Sequence, residues 1–282
     1  DLKDIRNMSV KLGIMQGILS KPINNTIQAF PEKSWIEEFE LGKKISINSI
    51  EWIFDTYEKN PIMEKQINEI NNYISKFQVK VNSICADYFM INKLFNESEK
   101  NIKKNLDMLK KLAINSKKIG AKIIEIPLVD TSSLKNEKDK KEIVTNLKKV
   151  ITEINDLGLI ITLETDLPPK EFLNLLEMFE KNTVYANYDT GNSASLGYNI
   201  NEEFEILKGK IKNIHLKDRV LNGTTVPFGL GDTNFDEFFK ILKKSEYSGD
   251  LIIQGARIEG MEPEQNCLKY LNFIKEYLDK YS

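Results

Sequence analysis

The sequence predicts a single closed α/β barrel, on three observations. Short runs rich in apolar and β-branched residues alternate with amphipathic helical stretches along the whole chain. Eight such strands can be read, so 282 residues give about 35 per strand-and-helix unit. No linker or shift in composition divides them. Regular alternation makes a parallel sheet, because each helix carries the chain back to the start of the next strand, and eight is the number that closes the ring of a (β/α)8 TIM barrel. The competing architecture, an open doubly wound sheet, would carry a glycine-rich phosphate turn after its first strand. "GIMQGILS" is not one.

The strands are expected in "KLGIMQ" (11–16), "SIEWIFD" (49–55), "KVNSICAD" (80–87), "KIIEIPLV" (122–129), "LIITLETD" (159–166), "VYANYDT" (184–190), "KNIHLKD" (212–218) and "DLIIQG" (250–255). Helical spacing of apolar residues is expected over 34–45, 63–77, 97–120, 137–158, 168–181, 234–249 and 263–281. Gly120, Gly158 and Gly249 close three of these stretches just before a strand, where a helix end favours glycine. One domain is expected over 8–282. Residues 1–7 read as an N-terminal extension or an expression remnant.

Composition narrows the function. Apolar residues make up 41% and charged residues 29%, enough for a large core under an ordinary soluble surface. Forty basic against 42 acidic side chains leave a net charge of −2, so no field is implied that would draw nucleic acid or anionic lipid. The first ten residues are charged, unlike a signal peptide, and no apolar run reaches the roughly 18 residues of a membrane span. Cys85 and Cys267 lie far apart and form no metal-type spacing, which reads as reduced thiols in the cytoplasm.

In a barrel of this kind chemistry gathers at the C-terminal ends of the strands. Strand five ends in Glu164, strand six in Asp189, strand seven carries His215, and strand eight ends in Gln254, at separations of 25, 26 and 39 residues. His215 is the sole histidine of the chain. Each alone has a plainer explanation: a hydrogen-bonded core histidine, an aspartate turn before Thr-Gly, a glutamate paired with lysine. Together, on four consecutive strands, they converge above the barrel. Two carboxylates, an imidazole and an amide oxygen suit Mn²⁺, Mg²⁺, Co²⁺ or Zn²⁺.

The motifs "LETD", "YDTGN", "IHLKDR" and "FGLGDTNFDEFF", with "IQAFP" and "SIEWIFD" earlier, resemble the sugar phosphate isomerase/epimerase group of xylose-isomerase-like TIM barrels over nearly the whole chain. The resemblance implies that Glu164, Asp189 and His215 hold a divalent metal. It also implies that Glu164 abstracts the proton next to a substrate carbonyl, giving a metal-stabilised enediolate. The group's second metal-binding glutamate, which returns the proton, is Gln254 here, and an amide cannot transfer a proton. Lys217, on the strand face of His215, is the candidate replacement, with Asp166, Glu125 and Glu51 behind it; its plainer role is to hold a phosphate or pair with Asp218. Arg257 and the loop amides of Gly229 and Gly231 suit an anionic substrate group. Glu125 and Glu51 are expected among the substrate contacts. Trp52 and Phe54 could face a sugar ring, although aromatic residues on barrel strands are usually core.

The expected activity is isomerisation or epimerisation of a sugar or sugar phosphate. The alternatives are a sugar dehydratase using the same site and a catalytically impaired sugar-binding barrel. A nuclease related to the AP endonucleases would need a histidine-rich metal cluster that one His cannot build. A homodimer or homotetramer is implied by the resemblance alone.

Overall fold

The computed structural model describes residues 9–26, 28–63 and 65–282; residues 1–7, read above as an extension, lie outside the described residues. Eight parallel strands close into the expected ring: β1 (Lys11–Met15), β2 (Ser49–Ile53), β3 (Ser83–Cys85), β4 (Ile123–Leu128), β5 (Ile160–Thr165), β6 (Val184–Asp189), β7 (Ile211–Leu216) and β8 (Asp250–Ile253). β8 returns to β1 in register from Lys11↔Asp250 to Ile14↔Ile253. A two-stranded hairpin, Asp218–Arg219 with Thr225–Val226, stands over the mouth just after β7.

Six of the expected helices form as single rods: Trp35–Lys44, Ile67–Phe77, Glu99–Lys118, Pro169–Glu177, Phe235–Lys244 and Pro263–Tyr281. The stretch 137–158 is two helices, Glu137–Lys148 and Ile151–Asp156. At the break Lys149 and Val150 donate to Asn146 and Leu147, three residues back, while the buried apolar spacing Ile143, Leu147, Ile151, Ile154 runs straight through. Two seven-residue helices, Thr190–Leu196 and Ile200–Ile206, occupy the β6–β7 connection, where the periodicity had suggested none. Each is started by a side-chain cap, Asp189 on Asn192 N and Asn199 on Glu202 N. Gly120 and Gly158 adopt φ of +88° and +81° as helix ends require. Gly249 does not: the left-handed residue there is Glu246 (φ +60°), and Gly249 is small because a Cβ would lie 2.5 Å from the Tyr247 hydroxyl.

Alternation along each strand sends one set of side chains outward under the helices and the other into the ring. Trp52 and Phe54 belong to the outward set. Trp52 packs against Phe30 and Trp35 and donates its indole N–H to Asn60 Oδ1 (3.0 Å), so neither ring is available to a sugar. The inward set is unusually polar for a barrel core that branched aliphatics normally fill. Ser49, Glu51, Ser83, Cys85, Glu125, Asn187, Asn213 and His215 all lie there, buried. Among the described residues no helix is long and apolar enough to cross a membrane, and both cysteines are free thiols.

Candidate metal centre and active site

Three of the strand-end residues meet. Glu164, Asp189 and His215 each bring a ligand atom within 4.8 Å of the others, all buried. Asp189 and His215 are direct register partners on β6 and β7. The ladder between these strands shifts at Ala186/Asn187, an irregularity that sets Asn187 opposite Asn213.

Beneath the three ligands runs a hydrogen-bonded network that crosses the barrel. Glu51 on β2 takes His215 Nε2 at 2.6 Å, and its other oxygen accepts from Ser83 Oγ (2.7 Å) and Asn213 Nδ2 (2.8 Å). Asn213 also reaches Asn187 Oδ1 (2.9 Å), and Asn187 Nδ2 donates to Glu164 Oε1 (3.0 Å). A carboxylate only accepts, so Nε2 carries its hydrogen and Nδ1, 3.6 Å from Glu164 Oε1, faces the other ligands. Burial opposes charge on this ring, but the carboxylates of Glu51 and Glu164 outweigh it and hold the His215 proton well above the usual imidazole range. Burial likewise opposes the charge on Glu51, yet His215 keeps its carboxyl below the usual range. Nδ1 is therefore the atom at which a proton would compete with any cation held here.

Asp189 has two tasks. Its Oδ1 caps the helix Thr190–Leu196 through Asn192 N (2.8 Å), and its buried Oδ2 stands 3.0 Å from Lys217 Nζ without the alignment of a hydrogen bond. Gln254, just past β8, donates Nε2 to Gln28 Oε1 at 2.5 Å, and its buried Oε1 has no partner among the described residues. A buried acceptor left without a donor is costly. Two carboxylates, one imidazole nitrogen and this partnerless amide oxygen fit a divalent cation of the oxygen- and nitrogen-preferring kind.

Other expected site residues have different surroundings. Lys217 pairs with Asp189 and not with Asp218, and despite burial the charges of Asp189 and Glu164 raise its proton affinity. Asp218 instead accepts from the N–H groups of Gly229 (2.8 Å), Gly231 (3.0 Å) and Thr233 (3.1 Å). The amides of Gly229 and Gly231, expected to meet an anionic substrate, thus serve an internal carboxylate. Gly231 comes so close to it that a Cβ would lie 2.3 Å from Asp218 Oδ1. Arg257 donates to the carbonyls of Gly17 (2.6 Å), Ile18 (2.9 Å) and Ser20 (2.7 Å), clamping the loop after β1. Glu51 and Glu125 are fully buried, and their acidic groups cluster with the other side of the His215 ring. Burial and the charge of Glu164 push the Glu125 carboxyl well above its usual range, and Cys85 Sγ donates to it at 3.0 Å. Asp166 accepts from Ser133 Oγ (2.6 Å). Arg219 holds Gly223 O and Asn192 Oδ1.

The sequence reading passed over Asn187, Asn213, Ser83, Gln28 and Asp87. Asn187 and Asn213 each precede a ligand by two residues, so strand alternation alone would have found them. Gln28 sits in a loop with no periodicity to mark it. The cavity at the barrel mouth is lined by Gln28, Lys21, Thr26, Lys217, Thr225, Gln254 and Arg257, together with residues of β1 and the loop after it.

Comparison with known proteins places this geometry in context. Inosose dehydratase of Clostridium perfringens is 25% identical over 239 residues, covering 70% of this chain and 77% of that protein. L-ribulose-5-phosphate 3-epimerase of Escherichia coli is 23% identical over 283 residues, covering 93% and 98%. Among solved structures, the IolI protein with a bound zinc atom superimposes with a TM-score of 0.78 at 20% identity over 97% of this chain and 99% of that one, a likeness of fold. The family described as xylose isomerase-like TIM barrel matches residues 39–277, and the chain belongs to that family.

Proposed function

We propose that this protein is a metal-dependent isomerase or epimerase of a sugar or sugar phosphate, acting by proton abstraction next to a carbonyl. The observation that carries the reading is the meeting of Glu164, Asp189 and His215 at the C-terminal mouth with Lys217 beside them. The epimerase named among its relatives supports the substrate class. A divalent cation held by Glu164, Asp189, His215 and the Gln254 oxygen would supply charge stabilisation for the substrate's carbonyl and hydroxyl oxygens.

The chain's own groups supply the rest. Asn187 anchors one oxygen of Glu164 and fixes the carboxylate that takes the proton α to the carbonyl. Lys217, held as an ammonium by its carboxylate neighbours, is the group able to return a proton, replacing the role an amide at 254 cannot fill. Lys21 and Lys217 at the mouth suit a phosphate or a polyhydroxylated chain. Burial of Glu164, Asp189 and His215 limits the access of water to the carbanion.

A second reading, dehydration of a sugar or cyclitol ketone, is favoured by Gln254 and by the relative named inosose dehydratase. One carboxylate base and one ammonium acid suffice to remove an α-proton and protonate a departing hydroxyl. Metal content and affinity of the wild type beside His215→Ala and Glu164→Gln test the site. Stoichiometric Mn²⁺, Co²⁺ or Zn²⁺, lost in His215→Ala, is expected. Incubation with ketoses and ketose phosphates in D₂O then separates the readings: deuterium at carbon next to the carbonyl with the sugar intact indicates isomerisation or epimerisation, and loss of water indicates the lyase. A protein that binds sugar but neither metal nor deuterium would be the impaired binding barrel.

A further inference from the structure

We propose that Asp87 and Gln28 act in series as positioning residues for Gln254, setting the polarity of its side-chain amide so that oxygen, not nitrogen, faces the metal ligands. The inference rests on the metal reading above and concerns the residue at which this chain departs from a carboxylate. The two ends of a glutamine amide are alike in size and opposite in hydrogen-bonding character, so a glutamine left to itself presents either one. A carboxylate has no such ambiguity.

The structure contains a device that removes it. Three side chains from three separate connections form a directed chain: Gln28 Nε2 donates to Asp87 Oδ2 (2.5 Å), and Gln254 Nε2 donates to Gln28 Oε1 (2.5 Å). Asp87 follows β3, Gln254 follows β8, and Gln28 lies in the loop between β1 and the first helix. An ionised carboxylate only accepts, so Gln28 must turn its NH₂ to Asp87 and its oxygen to Gln254. Gln254 must then turn its NH₂ to Gln28. That leaves Gln254 Oε1 buried and without a donor among the described residues. The Asp87 carboxyl is pushed up by burial to about 6, so at pH 8 it is the acceptor that this chain of bonds needs. Cys85 Sγ, whose hydrogen goes to Glu125, lies 3.4 Å from Asp87 Oδ1.

The test is Mn²⁺ affinity by calorimetry at pH 8, with thermal melts to verify that each variant is folded. Gln28→Met is expected to weaken Mn²⁺ binding roughly 10- to 100-fold, the range for partners that orient ligands. Asp87→Asn is expected to weaken it about 10-fold, because an amide at 87 no longer dictates which way Gln28 points. In a Gln254→Glu background, where both ends are oxygen, Gln28→Met is expected to change affinity by no more than about twofold. Unchanged Mn²⁺ affinity in Gln28→Met, or the same loss in both backgrounds, overturns the proposal while leaving the metal site standing. No Mn²⁺ binding in the wild type or any variant overturns the metal reading and this inference together.

Discussion

His215 is held by a carboxylate on the far side of the ring, and that contact decides which of its nitrogens is free. Glu51→Gln keeps the shape but removes the charge, and its NH₂ must face either the His215 Nε2–H or the Ser83 and Asn213 donors, which now meet separate oxygens. Mn²⁺ affinity measured by calorimetry is expected to fall about 10- to 100-fold in this variant, although residue 51 touches no metal ligand except the imidazole. Lys217→Met tests the other half of the site. Loss of a positioned proton donor is expected to lower kcat about 10²- to 10⁴-fold with a smaller change in KM, measured by steady-state kinetics on whichever ketose exchanges deuterium. Glu164, Asp189 and His215 were legible because each ends a strand at the spacing of the repeat. Glu51 drew notice as a substrate contact without its partner His215, since a sequence shows that a carboxylate lies on a strand but not which residue faces it across a barrel.

The loop from Phe228 to Thr233 owes its shape to one side chain. Asp218 gathers three backbone N–H groups, and Phe228 anchors the same segment against Phe235, Tyr270 and Phe273. Asp218→Ala leaves three backbone N–H groups without their acceptor and is expected to destabilise the fold by about 3 kcal/mol, read from urea unfolding. Asp218→Asn, which keeps one acceptor, should lose less. The "FGLGD" glycines were visible as a motif, but their partner was not: an internal carboxylate and an external anion ask the same of a glycine-rich loop. All eight strands form where their apolar runs were read, although β3 keeps only Ser83–Cys85 of the expected 80–87. The two short helices after β6 escaped because seven residues hold too few periods to register, and their starts depend on the Asp189 and Asn199 caps.

Global stability carries a pH signature from Glu203, a buried carboxyl in the β6–β7 connection that accepts from the hydroxyls of Tyr188 and Ser193. Burial raises it from 4.5 to about 7 in the folded state. A carboxyl raised on folding binds its proton more tightly in the native protein, so its stabilising contribution is complete below about 4.5 and is lost as pH climbs through about 7. Glu203→Gln has no proton to lose. Its stability relative to wild type, from urea unfolding at successive pH values, is expected to rise by about 3 kcal/mol between pH 4.5 and pH 8. A constant difference across that range would mean that Glu203 is not buried as described. Glu38, raised to about 7 by burial near Arg257, contributes equally to both proteins and cancels in the comparison.

The sequence by itself determined the barrel, the order of its strands and the ends at which chemistry collects, because strand alternation, helix periodicity and repeat length are local properties of the chain. Only the tertiary structure decided what those ends do. It set His215 on Glu51 and Lys217 on Asp189, gave the Gly229 and Gly231 amides to Asp218 and Arg257 to the β1 loop, and linked Gln254 through Gln28 to Asp87. Most of these pairs join separate strand ends of the ring, while the Gly229 and Gly231 amides reach Asp218 from 11 and 13 residues further along the same connection. Which donor meets which acceptor across a closed barrel depends on strand register and loop path, and neither is written in the local pattern of any one segment.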